Sequence, residues 1–506
     1  MAKTFEYAPA LESRSIVDIK SSYGLFINGE FVDAGAGPGE GGSFKTINPA
    51  TEEVLAEVAE ATAADVDAAV KAARTAYART WSKMPGRERA KYLYRIARII
   101  AERSREFAVL ESLDNGKPIR ESRDVDVPLV SQWFFYYAGW ADKLGYALPG
   151  NGRSGSDPQP LGVAGQIIPW NFPLMMLAWK IAPALAAGNT VVLKPAETTP
   201  LTALLFAEVC QQAELPPGVV NIVTGAGKTG QAIVDHGDID KIAFTGSTAV
   251  GKAIARSVAG TDKRVTLELG GKAANILFDD APLDQAVEGI VNGIFFNQGH
   301  VCCAGSRLLI QESVYDDVLE RLKRRMSTLR LGDPLDKNTD IGAINSAAQL
   351  ARIKELTAVG DAEGAERWSA PCEIPHSGFW FAPTIFTGVT QAHRIAREEI
   401  FGPVLSVLTF RTPAEAIEKA NNTPYGLSAG VWTEKGSRIL SMASQLRAGV
   451  VWANTFNKFD PASPFGGYKE SGYGREGGRH GLESYLSADP PGAERPRGQR
   501  TKGAQR

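Results

Sequence analysis

Five short runs rich in β-branched residues follow one another through the middle of the chain: "GVAGQIIPW" (162–170), "TVVLKPA" (190–196), "VVNIVTG" (219–225), "KIAFTGS" (241–247) and "RVTLELGG" (264–271). Stretches of helical character lie between them, such as 201–213 and 228–236. Strand, helix, strand, helix leaves few ways to bury every apolar face. The economical one is a parallel α/β sheet with right-handed crossovers and helices on both sides. The second half has the same texture, in "ANILF" (274–278), "SRLLIQ" (306–311), "VLSVLTF" (404–410) and "GVVWANT" (449–455). Two α/β domains follow from this, and 506 residues are enough for both.

The flanking segments read differently. Thr62 and Asp65 form a capping-box pattern, and Val66, Ala69, Val70 and Ala73 recur at helical spacing, so a helix starts at Thr62. A second helix is expected from Arg87 through Leu110, stopped by "DNGKP" (114–118). "AGAGPGEGGS" (34–43) reads as a surface loop. The end, 489–506, is Pro- and Gly-rich without an apolar period and reads as disordered.

Charge and cysteine content exclude several functions. A net charge of -2 offers nothing to nucleic acid or an anionic membrane. The longest apolar stretch, "PLMMLAWKIAPALAAG" (173–188), is interrupted by Lys180 and Pro183, so no membrane span is expected. The first twenty residues lack the apolar core of a secretion signal. The cysteines, 210, 302, 303 and 372, contain no C-x-x-C, so neither a metal site nor a disulfide framework is expected. A reduced, cytoplasmic protein fits that usage.

Three segments compete as a nucleotide loop. "GAGKTG" (225–230) matches G-x-G-x-x-G between a strand and a helix, yet a lone match of this kind is usually an ordinary turn. "FTGSTAVG" (244–251) ends a strand and opens a helix whose free N–H groups suit a pyrophosphate, although Ser247 is equally an ordinary N-cap. "LKPAETTP" (193–200) sets Lys194 and Glu197 at a strand's carboxyl end, where α/β sheets bind nucleotides. A carboxylate there accepts from ribose hydroxyls and repels a 2′-phosphate. The same pair is also a common surface ion pair.

The chemistry-bearing residues are as ambiguous when taken singly. "FFNQGHVCCAGSR" (295–307) sets Cys302 and Cys303 side by side among small residues. In an extended segment their side chains point oppositely, so one faces a given pocket. A thiolate near a base is a strong nucleophile, but free Cys is also common core filler. Glu268, in "LELGG", is a carboxylate between apolar residues and two glycines. It suits a general base or a satisfied buried acid.

Taken together the motifs lose that ambiguity. "PWNFP" (169–173), "KPAE" (194–197), "FTGSTAVG", "LELGGK" (267–272), "FFNQGHVCCAGSR", "EEIFGPV" (398–404) and "SPFGGYKESGYGRE" (463–476) occur in that order. The chain, from "FINGEF" (26–31) to about Leu486, resembles the NAD(P)-dependent aldehyde dehydrogenase superfamily of the hydrolytic type. The resemblance implies a Rossmann-type NAD-binding domain over 1–143 and 161–266 and an α/β catalytic domain over 267–477. It also implies a reduced oligomerisation arm over 144–160 and 478–488. Cys302 matches the nucleophile, Glu268 the general base, Asn171 the oxyanion donor beside the Cys302 N–H, and Lys180 a lysine behind that asparagine. Cofactor contacts are implied for Ile167, Pro169, Trp170, Lys194, Glu197, Gly227, Phe244, Gly246, Ser247, Leu269, Glu399 and Phe401. A substrate funnel is implied for Phe172, Trp179, Thr455, Phe459 and Phe465, whose aromatics suit an apolar or medium-sized aldehyde. NAD is favoured over NADP by Glu197, and the intact "LELGGK" favours water over coenzyme A as acyl acceptor. His300 stands where the family often has Gln. The shortened, Gly- and Pro-rich arm and tail imply a homodimer rather than a tetramer. An esterase-like thiol hydrolase and a catalytically silent subunit are the competing readings. The presence of Cys302, Glu268 and Asn171 with the cofactor motifs disfavours both.

Overall fold

The computed structural model describes residues 8–35, 42–148 and 158–487. Most of the surface loop 34–43, the middle of the arm at 144–160 and the tail expected over 489–506 lie outside the described residues. All five central runs are strands of one eight-stranded sheet. Val163–Ile167 sits in the middle, with Lys241–Thr245 and then Arg264–Glu268 on one side and Thr190–Lys194 and then Val220–Ile222 on the other, all parallel. The Arg264–Glu268 strand is partly exposed at its start; the others are buried along their whole length, as β-branched runs without alternation require. Leu25–Ile27 and Glu30–Val32 extend one edge, antiparallel. Gly472–Tyr473, from near the end of the chain, closes the other edge against Leu267 and Glu268.

The helix Pro173–Ala187 follows the central strand and is buried at every position. That explains why so apolar a segment needs no membrane. Gly188 ends it in the left-handed region at φ 95°, which a Cβ would disfavour. No helix among the described residues is long and apolar enough to cross a membrane.

The second sheet has seven strands in the order Glu366–Ser369, Thr384–Thr387, Val404–Phe410, Arg307–Gln311, Ala274–Leu277, Ser428–Trp432 and Val450–Ala453. Only the first pairing is antiparallel. Three of these strands gave no clear sequence signal. Ser428–Trp432, "SAGVW", is one. Its Gly430 is dictated by tertiary contact, since a Cβ there would meet Asn275 Oδ1 and the Phe456 ring, each at 2.7 Å.

The flanking helices are as expected at Thr62, where the capping box is complete. The continuous helix expected from Arg87 to Leu110 is instead two, Gly86–Glu102 and Ser104–Asn115. Arg103 breaks them with φ -91° and ψ 16°, and its guanidinium pairs with Glu106 and with Glu208 of a different helix. Periodicity does not reveal such a partner. Leu486–Ser487 pairs antiparallel with Gln159–Pro160, a short ladder within one chain.

Candidate active site

The carboxyl ends of the parallel strands converge. Ile167 is level with Lys194 and Phe244, and Thr245 with Glu268. A cleft opens beyond them, about 1050 Å³ including its solvent-open mouth. Pro169, Trp170, Gly246, Ser247, Leu269, Glu399 and Phe401 line one part of it. Asn171, Glu268 and Cys302 line it with them, and so do Phe172, Trp179, Phe459 and Phe465. Thus 14 of the residues singled out in sequence share one cavity. Lys180 lies behind its wall. Ile167, Lys194 and Phe244 are buried at strand ends, Glu197 is exposed beyond the carboxyl end of the Thr190–Lys194 strand, and Gly227 opens the helix Gly227–Asp235. Thr455 is half-buried outside the cleft lining.

The nucleophile segment owes its shape to three consecutive left-handed residues, Asn297 (φ 50°), Gln298 (φ 53°) and Gly299 (φ 74°). Two of them are not glycine, so tertiary contacts must hold them there. Gly299 is required, because a Cβ would collide with the Gly402 carbonyl. The chain then enters a turn in which the Ala304 N–H donates to the Val301 carbonyl at 3.0 Å. Cys302 and Cys303 sit in that turn rather than in an extended segment, and both line the cleft. The alternation expected of an extended pair therefore does not apply. They differ in burial instead. Cys303 is 1% exposed, its sulfur 3.8 Å from Asn457 Oδ1 and its carbonyl accepting from Ser428 Oγ at 2.9 Å. Cys302 is only partly buried. The Cys303 thiol, and then burial, raise the Cys302 thiol well above its ordinary range. At rest it holds its proton, so a nearby base must take it.

Glu268 ends its strand beside that turn, 4% exposed, with neither carboxylate oxygen hydrogen-bonded. Burial, then the neighbouring Glu476, raise it well above the usual carboxylate range, and Lys180 opposes the rise. Lys180, fully buried, donates to Thr245 Oγ1 at 2.6 Å and to the Glu476 carboxylate. Its expected place behind Asn171 is thus a place behind Glu268 as well. Glu476 had no assigned role in sequence. Its signal was an acid closing the glycine-rich "ESGYGRE" run.

Asn171 precedes the buried helix and is 5% exposed. Its Nδ2 donates to the His300 carbonyl at 2.8 Å, and its own carbonyl accepts from Asn297 Nδ2 at 2.7 Å. An amide NH2 has two hydrogens, so one remains for a ligand. His300 is fully buried between Trp170 and Phe401, with ring centroids at 4.8 and 5.9 Å. Burial lowers its imidazole to about 3, so it is neutral.

The remaining features fit a dinucleotide. Ser247 caps the helix Thr248–Val258, its Oγ accepting from Val250 N at 3.4 Å, and Ala249 and Val250 are exposed. The positive end of that helix is open to an anion. A Cβ at Gly246 would strike the Phe244 ring at 2.5 Å, so the backbone stays bare there. Lys194 Nζ donates to the Pro195 and Gly225 carbonyls at 2.7 and 2.6 Å and lies 3.8 Å from Glu197. This ties two of the three loop candidates into one edge. Burial lowers its ammonium to about 8. Glu399 accepts from Gly271 N at 2.8 Å, and burial raises it to about 7. Phe401 is left-handed at φ 56°, its carbonyl and that of Ile400 held by Gln349 Nε2. Met175, Met176, Gln349 and Arg352 also line the cleft, and sequence reading missed all four.

Comparison with known proteins agrees with this geometry. Residues 37–489 match the model described as the aldehyde dehydrogenase family. Retinal dehydrogenase 2 of Homo sapiens is 47% identical over 468 residues, 91% of this chain and 90% of that protein. An aldehyde dehydrogenase of Alternaria alternata is 46% identical over 468 residues, 92% and 93% of the two chains. The NAD+ complex of aldehyde dehydrogenase from Bacillus cereus superposes with a TM-score of 0.90 at 45% identity, covering 95% of this chain and 98% of that one.

Proposed function

The chain belongs to the aldehyde dehydrogenase family, and from that premise we propose that it oxidises an aldehyde to the carboxylic acid with NAD through a covalent intermediate on Cys302 that water, activated by Glu268, hydrolyses. One observation carries this reading. Cys302 and Glu268, 34 positions apart in sequence, line a single cleft together with the helix start at Ser247, the Glu399 carboxylate and a wall of aromatic rings.

Each residue has a physical task. The Cys302 sulfur attacks the aldehyde carbon once its proton is removed, and Glu268, whose two carboxylate oxygens have no hydrogen-bond partner, takes that proton when ionised. Charge develops on the aldehyde oxygen. The spare Asn171 Nδ2 hydrogen and the Cys302 N–H stabilise it, at ~3–4 kcal/mol per donor in comparable sites. A bound dinucleotide would supply the hydride acceptor, and Cys302 would then hold the acyl group as a thioester. Once the thiol proton has passed from Glu268 to solvent, the carboxylate deprotonates the hydrolytic water, a contribution of ~10²–10⁴-fold. Lys180 offsets the charge that Glu268 and Glu476 would otherwise repel. Ser247 and its helix start take the pyrophosphate, Lys194 and Glu197 the adenosine ribose, and Glu399 and Phe401 the nicotinamide end.

Residues 1–143 and 161–266 form the cofactor-binding unit in this reading, and 267–477 the catalytic unit. Glu197, exposed beyond its strand's carboxyl end, favours NAD over NADP. The short, Pro-containing ladder of Leu486–Ser487 on Gln159–Pro160 offers little edge for a further subunit, and a homodimer is the assembly proposed. A cytoplasmic location suits four free cysteines. The test is NADH absorbance with a panel of aldehydes, wild type against Cys302→Ala. Loss of turnover in the variant supports the assignment, and equal rates overturn it.

A further inference from the structure

Four ionisable side chains lie together beneath the cleft: Glu111, Lys117, Glu121 and Asp126. None is more than 7% exposed. Lys117 Nζ donates to Asp126 Oδ2 at 2.6 Å and lies 3.9 Å from Glu111. Burying four such groups is costly, and apolar packing would be cheaper. They sit around a single π turn, Ser122–Asp126, of the kind that often marks a functional position.

The cluster grips both walls of the oxyanion site. On one side, Glu121 Oε2 accepts from the backbone N–H of Asn297 at 2.9 Å. On the other, Lys117 Nζ lies 4.3 Å from the Phe172 ring centre, and Glu111 Oε1 accepts from Leu174 N at 3.4 Å. Asn297 joins the two walls. Its side-chain Nδ2 donates to the Asn171 carbonyl at 2.7 Å and reaches the His300 carbonyl at 3.4 Å, the same carbonyl that holds Asn171 Nδ2 at 2.8 Å. Asn297 is left-handed, a conformation that needs an anchor. The Glu121 carboxyl supplies one.

We propose that Glu121, buried beside the Lys117–Asp126 pair, is a positioning residue for the oxyanion site: through the Asn297 backbone it fixes the placement of the Asn171 amide relative to the Cys302 turn. The proposal rests on the roles given above to Asn171 and Cys302. Burial raises Glu121 to about 8, with Lys117, the Asn297 N–H and Arg120 opposing and Asp126 adding to the rise. At neutral pH it is therefore an uncharged acid whose carbonyl oxygen accepts the Asn297 N–H. A glutamine can replace it in that task, and an alanine cannot.

The test compares Glu121→Ala, Glu121→Gln, Asn297→Ala and the double variant Glu121→Ala/Asn297→Ala. Two reactions are followed: aldehyde-dependent NAD reduction and hydrolysis of p-nitrophenyl acetate. The ester also builds an oxyanion at Cys302 but needs no cofactor. Expected for Glu121→Ala is a fall in kcat of tenfold or more in both reactions, with KM for NAD within twofold. Glu121→Gln should recover kcat to within threefold of wild type. The double variant should be no slower than Asn297→Ala by more than twofold, since both act along one path. A kcat for Glu121→Ala within twofold of wild type, a glutamine variant as slow as the alanine one, or multiplying losses in the double variant would each overturn the proposal. If Glu121→Ala does not fold, Asn297→Ala and Glu121→Gln decide: a tenfold loss in the first with near-wild-type kcat in the second supports it, and any other pair of results refutes it. A protein that cleaves the ester and oxidises no aldehyde would refute the proposed reaction, while the ester series still judges the positioning role.

Discussion

Gly270 and Gly271 are adjacent, yet the structure gives them opposite neighbours. A methyl group on Gly270 would overlap the Glu399 carboxylate, with its carboxyl carbon at 3.0 Å and one oxygen closer still, inside the distance real Cβ atoms keep. Gly270 is not left-handed, so Gly270→Ala introduces that contact without backbone strain. Glu399 must then move, and it loses the 2.8 Å bond from Gly271 N. Hydrogen bonds to charged groups are worth roughly 1.5–3 kcal/mol, and ~1.4 kcal/mol is tenfold in an equilibrium. KM for NAD should therefore rise by about 10- to 100-fold, measured at pH 8, above the value of about 7 for Glu399. Hydrolysis of p-nitrophenyl acetate, which needs Cys302 but no cofactor, should stay within twofold. Gly271→Ala reverses the pattern, because its Cβ would meet the Cys302 carbonyl and push the nucleophile turn. Ester hydrolysis should then fall with aldehyde oxidation. If Gly270→Ala leaves KM for NAD within twofold of wild type, or if both variants damage both reactions equally, the assignment of Glu399 to the cofactor is wrong.

Glu268→Gln should slow both the first turnover and the steady state of NADH formation, by ~10²–10⁴-fold, because the same carboxylate takes the Cys302 proton and activates the water; a wild-type rate in either phase, read by stopped-flow absorbance, would contradict this. Lys180→Met strips Glu476 of its buried partner and should cost ~3–5 kcal/mol in denaturant unfolding, with part of the loss recovered by adding Glu476→Gln. Asp114 is buried, accepting from Thr46 Oγ1 and Leu201 N, and burial raises it from 3.8 to about 7. A raised folded-state value means its contribution is fully present below the unfolded value and lost as pH rises through about 7. Asp114→Asn should flatten stability between pH 4 and 7 by up to ~4 kcal/mol, read from urea midpoints across that range. Glu197→Ser should lower KM for NADP more than KM for NAD, because the carboxylate exposed beyond the strand end repels the 2′-phosphate; unchanged ratios would remove Glu197 from the ribose site.

How much of this was legible differs by element. The five central strands could be read because a strand buried on both faces has an apolar centre without alternation, and "TVVLK" and "KIAFT" have one, with their polar residues only at the ends. The family motifs could be read because they sit at the strand ends and turns where backbone demands are strictest: the glycine in "NQGH", the pair in "LELGG", the serine in "FTGST". The Arg103 break, the "SAGVW" strand and the cleft residues Gln349 and Arg352 were not legible. Each depends on a partner far away in sequence, and periodicity reports only on neighbours.

The amino-acid order by itself determined the layered α/β plan, because that follows from local pattern, while the sulfur and the carboxylate stood out only through the ordered set of family motifs around them. Tertiary structure alone decided what those groups can do. It put Cys302 and Cys303 in one turn and buried only the second. It set Glu268 among no hydrogen-bond donors and beside Glu476, and it joined Asn171 to the nucleophile loop through Asn297. Proton affinity and donor direction depend on burial and on neighbours brought in from elsewhere in the chain, and those exist only once the two sheets have packed.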